Sequence, residues 1–203
     1  MRYIIVGSST YKTFEECYKH LNGDYLIGLD EASMDIIKSG YVLSEAWGDY
    51  DSGNNINTIK KNAIKFFQFP SEKNETDLEL VLMNLNTNEE IIVYNITGGR
   101  LDHELVNMLL LRKYKHLNIK IVDKENEIRY ISKKGKYLIK QDDYDYISLL
   151  TLDKAIVKIN KAKYLLEETK IDKNDTYTTS NQFINEEFEF ELMSGELILI
   201  RSK

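Results

Sequence analysis

The sequence has little of several residues on which common kinds of site depend. Its one cysteine, Cys17, excludes an internal disulfide and any multi-cysteine zinc site. Three scattered histidines argue against a histidine-rich metal centre. A single proline, Pro70, leaves no proline-rich linker between parts of the chain. If the protein holds a metal ion, carboxylates must therefore supply the ligands.

Long apolar runs are missing as well. No stretch approaches the roughly 20 apolar residues that a membrane helix needs, and the first residues lack the layout of a signal peptide. We therefore expect a soluble, cytoplasmic protein that has no membrane partner.

Positive charge is not in excess either, which bears on nucleic-acid binding. The chain has 27 basic and 33 acidic residues, and residues 24–52 contain seven of the acidic residues and a single lysine. This segment therefore accounts for the whole net charge of −6. Nucleic acids need a concentrated basic surface, and the sequence has none, so we expect no nucleic-acid partner. The acidic segment is either a solvated face or part of a site.

Up to about residue 124, short apolar runs alternate with segments of helical periodicity. Strands are predicted at residues 3–6, 25–29, 66–69, 91–96 and 119–122. Helices between them are predicted from apolar residues at helical spacing, namely Ile56, Ile59, Ala63 and Ile64, then Leu78, Val81, Leu82 and Leu85, then Leu101, Leu105, Met108 and Leu109. This alternation predicts an α/β domain with a mostly parallel sheet over residues 1–124.

Beyond residue 124 the helical periodicity disappears. Short β-like runs follow at residues 128–132, 137–140, 144–150, 155–159 and 164–166, which predict an all-β domain over residues 125–203. Three glutamates alternate with apolar residues over 187–192, and Ser194-Gly195 interrupts the pattern before the apolar run 197–200. We expect these last two segments to form a two-stranded hairpin that closes the chain.

Acidic residues follow several of the predicted strands, where α/β proteins bind their ligands. Asp30 follows the second strand, Asp49 and Asp51 follow the apolar stretch 41–47, and Asp77 opens a predicted helix. In an extended segment, Asp49 and Asp51 would point to one side and share a hard divalent cation such as Mg²⁺. Carboxylates this close repel each other, and a cation would resolve the conflict. The alternative is that Asp-x-Asp forms an ordinary turn.

A glycine-rich segment leads into the last predicted helix. Gly98-Gly99-Arg100 combines open backbone N–H groups, a guanidinium and a helix N-terminus, which are the elements of a phosphate-binding turn. His103 and Asn107 extend this site along one helical face. The alternative is an ordinary strand-to-helix turn that carries a surface arginine. At the start of the preceding helix, Thr76 and Glu79 form a capping box. Helix capping alone is therefore enough to explain the presence of these two residues.

Six motifs stand in a characteristic order along almost the full length of the chain. They are Asp30-x-Ala32, Gly48-Asp49-Tyr50-Asp51-Ser52, Glu72-Lys73-x-x-Thr76-Asp77, Gly98-Gly99-Arg100-Leu101-Asp102-His103 with Asn107, Tyr146-Ile147-Ser148-Leu149-Leu150 and Ser180-Asn181. With these motifs the chain resembles the thiamine pyrophosphokinase (thiamin diphosphokinase) family. Several motifs in order are far more specific than any one of them. The resemblance implies an α/β ATP-binding domain followed by a β-sandwich that binds thiamine.

The resemblance also implies an activity and a set of site residues. The family transfers the terminal diphosphate of ATP to the hydroxyethyl oxygen of thiamine, releases AMP and uses Mg²⁺. The implied metal ligands are Asp49, Asp51 and Asp77, with Arg100 and Asp102 as further catalytic residues. The implied ATP-binding residues are Asp30, Ser52, Lys73, Thr76, Gly98, Gly99, Arg100, His103 and Asn107, and those for thiamine are Ser180, Asn181 and Phe183. The family further implies a homodimer whose site is shared between subunits.

Two alternatives of other classes stay open. One is another nucleotide-dependent transferase, such as a pterin diphosphokinase or a nucleotide-sugar transferase, and the other is a non-catalytic sensor of thiamine or a nucleotide. Ser180-Asn181 argues against the first, and the acidic residues with Arg100 argue against the second. The chain also departs from the family, because Asp30-Glu31-Ala32 stands where Asp-Gly-Gly-Ala is usual. Without the glycines, a ligand has less room to approach the backbone at this position.

Overall fold

The structure is a computed structural model that describes residues 1–51 and 55–203 of the chain. It divides into two compact units, Met1–Lys124 and Glu125–Lys203, and each is described by itself. Ser52, one of the predicted ATP-binding residues, lies outside the described residues. Among the helices of the described residues, none combines the length and the apolar character that crossing a bilayer demands.

The first unit is a parallel sheet with helices between its strands. The strands are β1 (Arg2–Val6), β2 (Tyr25–Leu29), β3 (Leu43–Gly48), β4 (Ala63–Gln68), β5 (Glu90–Tyr94) and β6 (Asn118–Val122). The helices are α1 (Phe14–Cys17), α2 (Ser33–Lys38), α3 (Ile56–Asn62), α4 (Asp77–Asn84) and α5 (Leu101–Lys113), with a 3-10 turn at Asp30–Ala32. The strand order is β6-β5-β1-β2-β3-β4, and each neighbouring pair runs parallel.

The central strands are apolar because both faces of the sheet are covered. In β1, Ile4, Ile5 and Val6 are fully buried, which is the usual pattern of a parallel strand between two layers of helices. On one face, Phe14 of α1 and Ile36 of α2 join Ile4 and Val6 in a single core cluster. The sheet therefore holds its strand ends in fixed positions, and the loops that follow these ends carry the candidate site.

The sequence prediction is wrong on either side of α3. It contains no strand at Leu43–Gly48, whereas β3 pairs with both β2 and β4. Ala63 and Ile64, which are predicted to be helical, instead begin β4 directly after Asn62 ends α3. Ile64 is 70% exposed, since β4 is the edge strand of this sheet within the described residues. Apolar spacing alone does not separate the last turn of a helix from the start of an exposed edge strand.

Asp24, just before β2, is held in a buried hydrogen-bond network. Its carboxylate accepts hydrogen bonds from Arg2 Nε at 2.9 Å and Nη2 at 2.6 Å, from the Tyr18 hydroxyl at 2.9 Å and from the Leu21 amide at 2.9 Å. Burial alone would raise the pKa of Asp24, but these hydrogen bonds outweigh burial and hold the pKa below its usual value. The network ties the start of β2 to β1, and β2 leads directly to Asp30.

We expect Asp24→Asn to lower the free energy of unfolding by about 2 kcal/mol, because it removes the negative charge that pairs with Arg2 and leaves one donor of this network without an acceptor. Since the native pKa is lowered, the contribution of Asp24 is fully present above its unfolded pKa of about 4 and is lost as the pH falls through the native value. Urea melts of the parent and the variant at neutral and at acidic pH measure this. The difference in stability should shrink in acid, and an equal difference at both pH values would contradict the role of the charge.

The second unit consists of strands in two antiparallel sheets. The strands are β7 (Asn126–Ile131), β8 (Gly135–Lys140), β9 (Tyr146–Leu150), β10 (Lys154–Lys161), β11 (Leu166–Asp172), β12 (Asn181–Gln182), β13 (Glu187–Gly195) and β14 (Leu197–Ser202). Within this unit the strand orders are β12-β9-β14-β7 and β11-β10-β13-β8. Side chains from both sheets, among them Leu149, Val157, Phe188 and Leu199, form one core cluster. The coarser expectation, an α/β part followed by a β-rich part, is confirmed.

The expected closing hairpin is wrong. β13 pairs with β8 and β10, whereas β14 pairs with β7 and β9, so the two consecutive strands belong to different sheets. Gly195 has a φ of 82°, and a Cβ there would lie 2.1 Å from the Lys154 carbonyl oxygen. Only glycine fits this sharp passage between the sheets. The alternating pattern itself is confirmed, since Phe188 and Phe190 are fully buried.

Candidate functional site

A cavity of about 700 Å³ lies at the carboxyl ends of the strands in the first unit. Predicted site residues that line it are Asp30, Lys73, Thr76, Asp77, Gly98, Gly99, Arg100, His103 and Asn107. The structure therefore brings together predicted residues from three separate parts of the chain. Open α/β sheets bind ligands at this edge, because the loops that follow the strands converge there.

Asp30 lies where β2 ends and approaches the end of β3 closely. A Cβ at Gly48 would lie 1.8 Å from Asp30 Oδ1, so this carboxylate needs the glycine beside it. The same oxygen accepts a hydrogen bond from the Tyr50 amide at 3.2 Å. Asp30 and Tyr50 both adopt left-handed backbone conformations, with φ values of 45° and 55°. Such strained non-glycine residues cost free energy and often mark functional sites.

Lys73 connects two carboxylates of the site. Its ammonium lies 3.0 Å from Asp77 Oδ1 and 3.7 Å from Asp49 Oδ2, and its side chain is 14% exposed. Burial alone would lower the pKa of Lys73, but the close ion pair with Asp77 and the charges of Asp49 and Asp30 raise it overall. Lys73 is therefore a charged cation that balances part of the acidic cluster.

The acidic cluster still has more negative charge than one lysine offsets. Burial, followed by a hydrogen bond with Asp77 and the charge of Asp77, raises the pKa of Asp30 to about 7. Asp77 Oδ1 is buried and accepts no well-directed hydrogen bond within the described residues, although the Lys73 ammonium is near. Crowded carboxylates of this kind favour an additional cation.

The donor set around Lys73 fits a divalent metal ion, because carboxylate oxygens are the ligands that hard cations prefer. Among residues 1–51 and 55–203, however, no group of three acidic, histidine or cysteine side chains is already arranged around a common metal position. Asp49 and Asp77 face the same lysine. These two carboxylates could share a cation at the position that Lys73 now occupies.

The expectation that Asp49 and Asp51 lie in an extended segment is wrong. The left-handed φ of 55° at Tyr50 turns the chain between them, and the Asp51 amide donates to Asp49 Oδ1 at 3.3 Å. This is the turn that the sequence analysis kept as the alternative. Asp51 is exposed, and its role as a metal ligand stays a prediction.

The glycine turn lies before α5, as the spacing predicts. Gly98 has a φ of 71°, and a Cβ there would lie 2.5 Å from the Tyr11 side chain. The Gly99 amide donates to Glu104 Oε1 at 2.7 Å. Arg100 is 72% exposed and holds Asp102 through two hydrogen bonds of 3.2 and 2.6 Å, which lower the pKa of Asp102 to about 2. The donors of the turn thus bind carboxylates of the chain itself.

Two other predicted ATP-binding residues have structural partners in the described protein. The Thr76 hydroxyl accepts a hydrogen bond from the Glu79 amide at 3.2 Å and caps α4, as the capping-box pattern predicts. The buried Asn107 donates to the Ile96 carbonyl at 3.0 Å and thereby attaches α5 to the loop after β5. His103 is exposed at the cavity.

The segment 7–10 follows β1 and lines the same cavity, although no motif in the sequence predicts it. Ser9 Oγ donates to the Thr97 carbonyl at 2.7 Å, and a Cβ at Gly99 would lie 2.9 Å from Ser9 Oγ. The segment therefore packs directly against the glycine turn. The sequence Ser-Ser-Thr does not form a recognisable binding motif. Only the position of the segment, directly after a buried central strand, could have indicated that it belongs to the site.

The predicted thiamine-binding residues lie in the second unit. The Asn181 side chain bridges the backbone of Tyr164, accepting from its amide at 3.0 Å and donating to its carbonyl at 2.7 Å. Ser180 has a left-handed φ of 53°, and its amide donates to Ser148 Oγ at 3.0 Å. The Phe183 ring lies in the core, 6.3 Å from the Phe188 ring. A thiamine contact for these residues stays a prediction.

A parallel sheet whose carboxyl edge carries carboxylates, a buried lysine and a glycine turn is typical of α/β proteins that bind charged ligands. The family described as thiamin pyrophosphokinase, catalytic domain, matches residues 19–122, and the one described as thiamin pyrophosphokinase, vitamin B1 binding domain, matches residues 136–197. The thiamine pyrophosphokinase of Bacillus subtilis (strain 168) is 36% identical over 185 residues, which cover 87% of this chain and 86% of that protein. The chain belongs to the thiamin pyrophosphokinase family.

Solved structures agree with this assignment. A thiamin pyrophosphokinase family protein from Enterococcus faecalis superposes with a TM-score of 0.91 at 25% identity, covering 100% of this chain and 99% of the other. The thiamine pyrophosphokinase from Bacillus subtilis superposes with a TM-score of 0.87 at 28% identity, with coverage of 100% and 99%. The fold is therefore common to these proteins over their full length.

Proposed function

We propose that the protein is a thiamine diphosphokinase, which transfers diphosphate from ATP to the hydroxyl of thiamine and releases AMP. The observation that carries the proposal is the position of Lys73, 3.0 Å from Asp77 and 3.7 Å from Asp49, in the cavity that the glycine turn also lines. A triphosphate needs cations and amide donors in one place, and a metal-binding site needs carboxylates beside them.

In this reaction the hydroxyl oxygen of thiamine bonds to the β-phosphorus of ATP, and the bond from that phosphorus to the bridging oxygen of AMP breaks. The hydroxyl loses its proton in the same process. Lys73 and Arg100 balance negative charge on the phosphates, and the Gly98-Gly99 turn offers backbone donors. The entering and leaving oxygens must lie in line with the phosphorus, so positioning and electrostatic stabilisation supply most of the acceleration.

Asp49 and Asp77 would hold a divalent cation, for which we propose Mg²⁺, with Asp51 as a further ligand. When bound, this cation would neutralise phosphate charge. Asp30 crowds against Asp77, and this crowding is the physical reason for a cation at this position.

We interpret the second unit as a β-sandwich that supplies thiamine contacts. Ser180 offers an exposed hydroxyl, and the Asn181 side chain fixes the Tyr164 backbone beside it. A homodimer that shares the site between subunits, as the resemblance implies, is part of the proposal, and light scattering of the purified protein tests it.

Incubating the purified protein with ATP, Mg²⁺ and thiamine tests the proposed activity. We expect thiamine diphosphate and AMP in equal amounts, and no reaction after chelation of the divalent cation. Formation of ADP with thiamine monophosphate would contradict diphosphate transfer. Thiamine binding without turnover would favour the sensor alternative, and turnover only with a hydroxymethylpterin would favour the other transferase.

A further inference from the structure

Glu104 lies at the glycine turn, although the sequence analysis gave it no role. Its Oε1 accepts a hydrogen bond from the Gly99 amide at 2.7 Å, and the residue lines the cavity together with Lys73 and Arg100. A carboxylate oxygen and a phosphate oxygen are both anionic acceptors, so they compete for the same amide. The chain thus fills, with its own side chain, a donor position that the proposed function gives to a phosphate.

The hydrogen bond with the Gly99 amide does not by itself require a charged side chain. Glu104 is the fourth residue of α5, and its own amide already donates to the Arg100 carbonyl at 3.1 Å. A glutamine at this position could still accept from the Gly99 amide, through a weaker hydrogen bond, and would carry no charge. The negative charge strengthens this hydrogen bond and suits the first turn of a helix, and it also repels other anions that enter the cavity.

The two cations that are proposed to bind phosphate, Arg100 and Lys73, also contact carboxylates of the chain itself. Arg100 holds Asp102, and Lys73 lies against Asp77, so each cation already has a carboxylate partner. These carboxylates belong to the proposed metal and catalytic set, whereas Glu104 does not. Glu104 is thus the one anion in this comparison whose removal tests competition with phosphate without removing a proposed ligand.

We propose that Glu104 acts as an internal substitute for a phosphate oxygen and thereby sets the affinity of the cavity for a triphosphate. A bound triphosphate displaces the carboxylate from the Gly99 amide. Breaking that hydrogen bond costs free energy and therefore weakens the binding of the triphosphate. This inference rests on the proposed function, because it requires that the triphosphate of ATP bind at the glycine turn.

Isothermal titration of Glu104→Gln and Glu104→Ala with α,β-methylene ATP, which is not cleaved at the reacting bond, measures the effect. We expect the Kd of this analogue to fall about fivefold in Glu104→Gln, which corresponds to one unit charge removed from a solvated site. The fall in Glu104→Ala should be at least as large, because the Gly99 amide becomes free. Adenosine, which has no phosphate, should bind all proteins equally.

Glu89→Gln is the matched control, because it removes the same charge at the opposite edge of the sheet. Glu89 directly precedes β5, and its side chain is 50% exposed beside the N-terminal ammonium. Its Kd for the analogue should equal that of the parent. Thermal melts should show that Glu104→Gln keeps its fold, since the amide oxygen can still accept from Gly99.

Unchanged Kd values for the analogue in both Glu104 variants would overturn the inference. A large loss of kcat in Glu104→Gln at saturating ATP, without tighter binding, would place the carboxylate in the chemistry and would also overturn it. If the parent forms no thiamine diphosphate while the variants bind the analogue more tightly, the proposed function fails and the inference stands. If the parent does not bind the analogue, both fail.

Discussion

Asp77→Asn is expected to lower kcat/KM for ATP by about 10²- to 10³-fold, which corresponds to about 3–4 kcal/mol of transition-state stabilisation. Asp77 is the first residue of α4, and its Oδ1 lies 3.0 Å from the Lys73 ammonium. Asparagine keeps the shape of the side chain but has no charge with which to hold a divalent cation or to orient Lys73. Steady-state kinetics with ATP and thiamine at saturating Mg²⁺ measure the loss.

Stability should change little in this variant, because opposing effects partly cancel. Asparagine loses the ion pair with Lys73 and a favourable interaction with the helix dipole of about 0.5 kcal/mol, but it also relieves the repulsion between Asp77 and Asp30. Asp143→Asn, the same chemical change at an exposed position of the second unit, serves as the control and should leave kcat/KM at the parent value. Parent-level turnover in Asp77→Asn would mean that this carboxylate has no part in the site.

Lys73→Met is expected to lower kcat/KM for ATP by about 100-fold, since it removes a nearly buried cation from the phosphate-binding cavity. Methionine has a similar length and no charge. The side chain is 14% exposed, and its ammonium lies between Asp49 and Asp77. Lys73→Arg should recover part of the loss, and Lys38→Met, at the exposed end of α2, should have no effect.

The same variant should bind a divalent cation more tightly when no nucleotide is present. The ammonium of Lys73 competes with a metal ion for Asp49 and Asp77, so its removal favours the metal. Mn²⁺ titration followed by electron paramagnetic resonance measures this affinity directly. Opposite effects on metal binding and on turnover are the expected result. Weaker binding of Mn²⁺ in Lys73→Met would contradict the shared role of the two carboxylates.

Fully buried strands of the first unit could be predicted from the sequence. The predicted run 25–29 coincides with β2, because unbroken apolar residues suit a strand covered on both faces. β3 could not be predicted in this way, since it contains Glu45. The Glu45 carboxylate accepts hydrogen bonds from Tyr25 at 2.7 Å, Trp47 at 2.8 Å and Lys65 at 3.0 Å. Two of those partners come from neighbouring strands, which local spacing does not reveal.

Helix α5 shows how periodicity indicates an element but not its buried face. Leu101, Leu105 and Leu109 have helical spacing, and the helix is present at Leu101–Lys113. Yet these three side chains are 69%, 58% and 53% exposed, whereas Leu110 and Leu111 are buried. A second apolar stripe lies on the same helix, and only the position of the sheet selects between the two.

The residues of the candidate site could be predicted from their types and their order in the chain. The local backbone conformations of the site could not be predicted in this way. Asp30, Lys73 and Asp77 converge in one cavity, as their motifs suggest. A turn between Asp49 and Asp51 was one of the two alternatives, but the left-handed conformation of Tyr50 was not predictable, because a positive φ is unfavourable for a tyrosine. The hydrogen bond from Gly99 to Glu104 was not predictable either, because it places a carboxylate at an anion site. Such conflicts arise most often where a site imposes its own geometry.

Crystals grown with Mn²⁺, α,β-methylene ATP and thiamine provide the most direct test of the account. Anomalous scattering locates the Mn²⁺ ion without reference to the phosphates. The account predicts a peak within coordination distance of Asp49 and Asp77 and of the nucleotide, with the triphosphate against Gly99 and Glu104 displaced. A nucleotide bound elsewhere, or an Mn²⁺ ion that touches neither carboxylate, would contradict it.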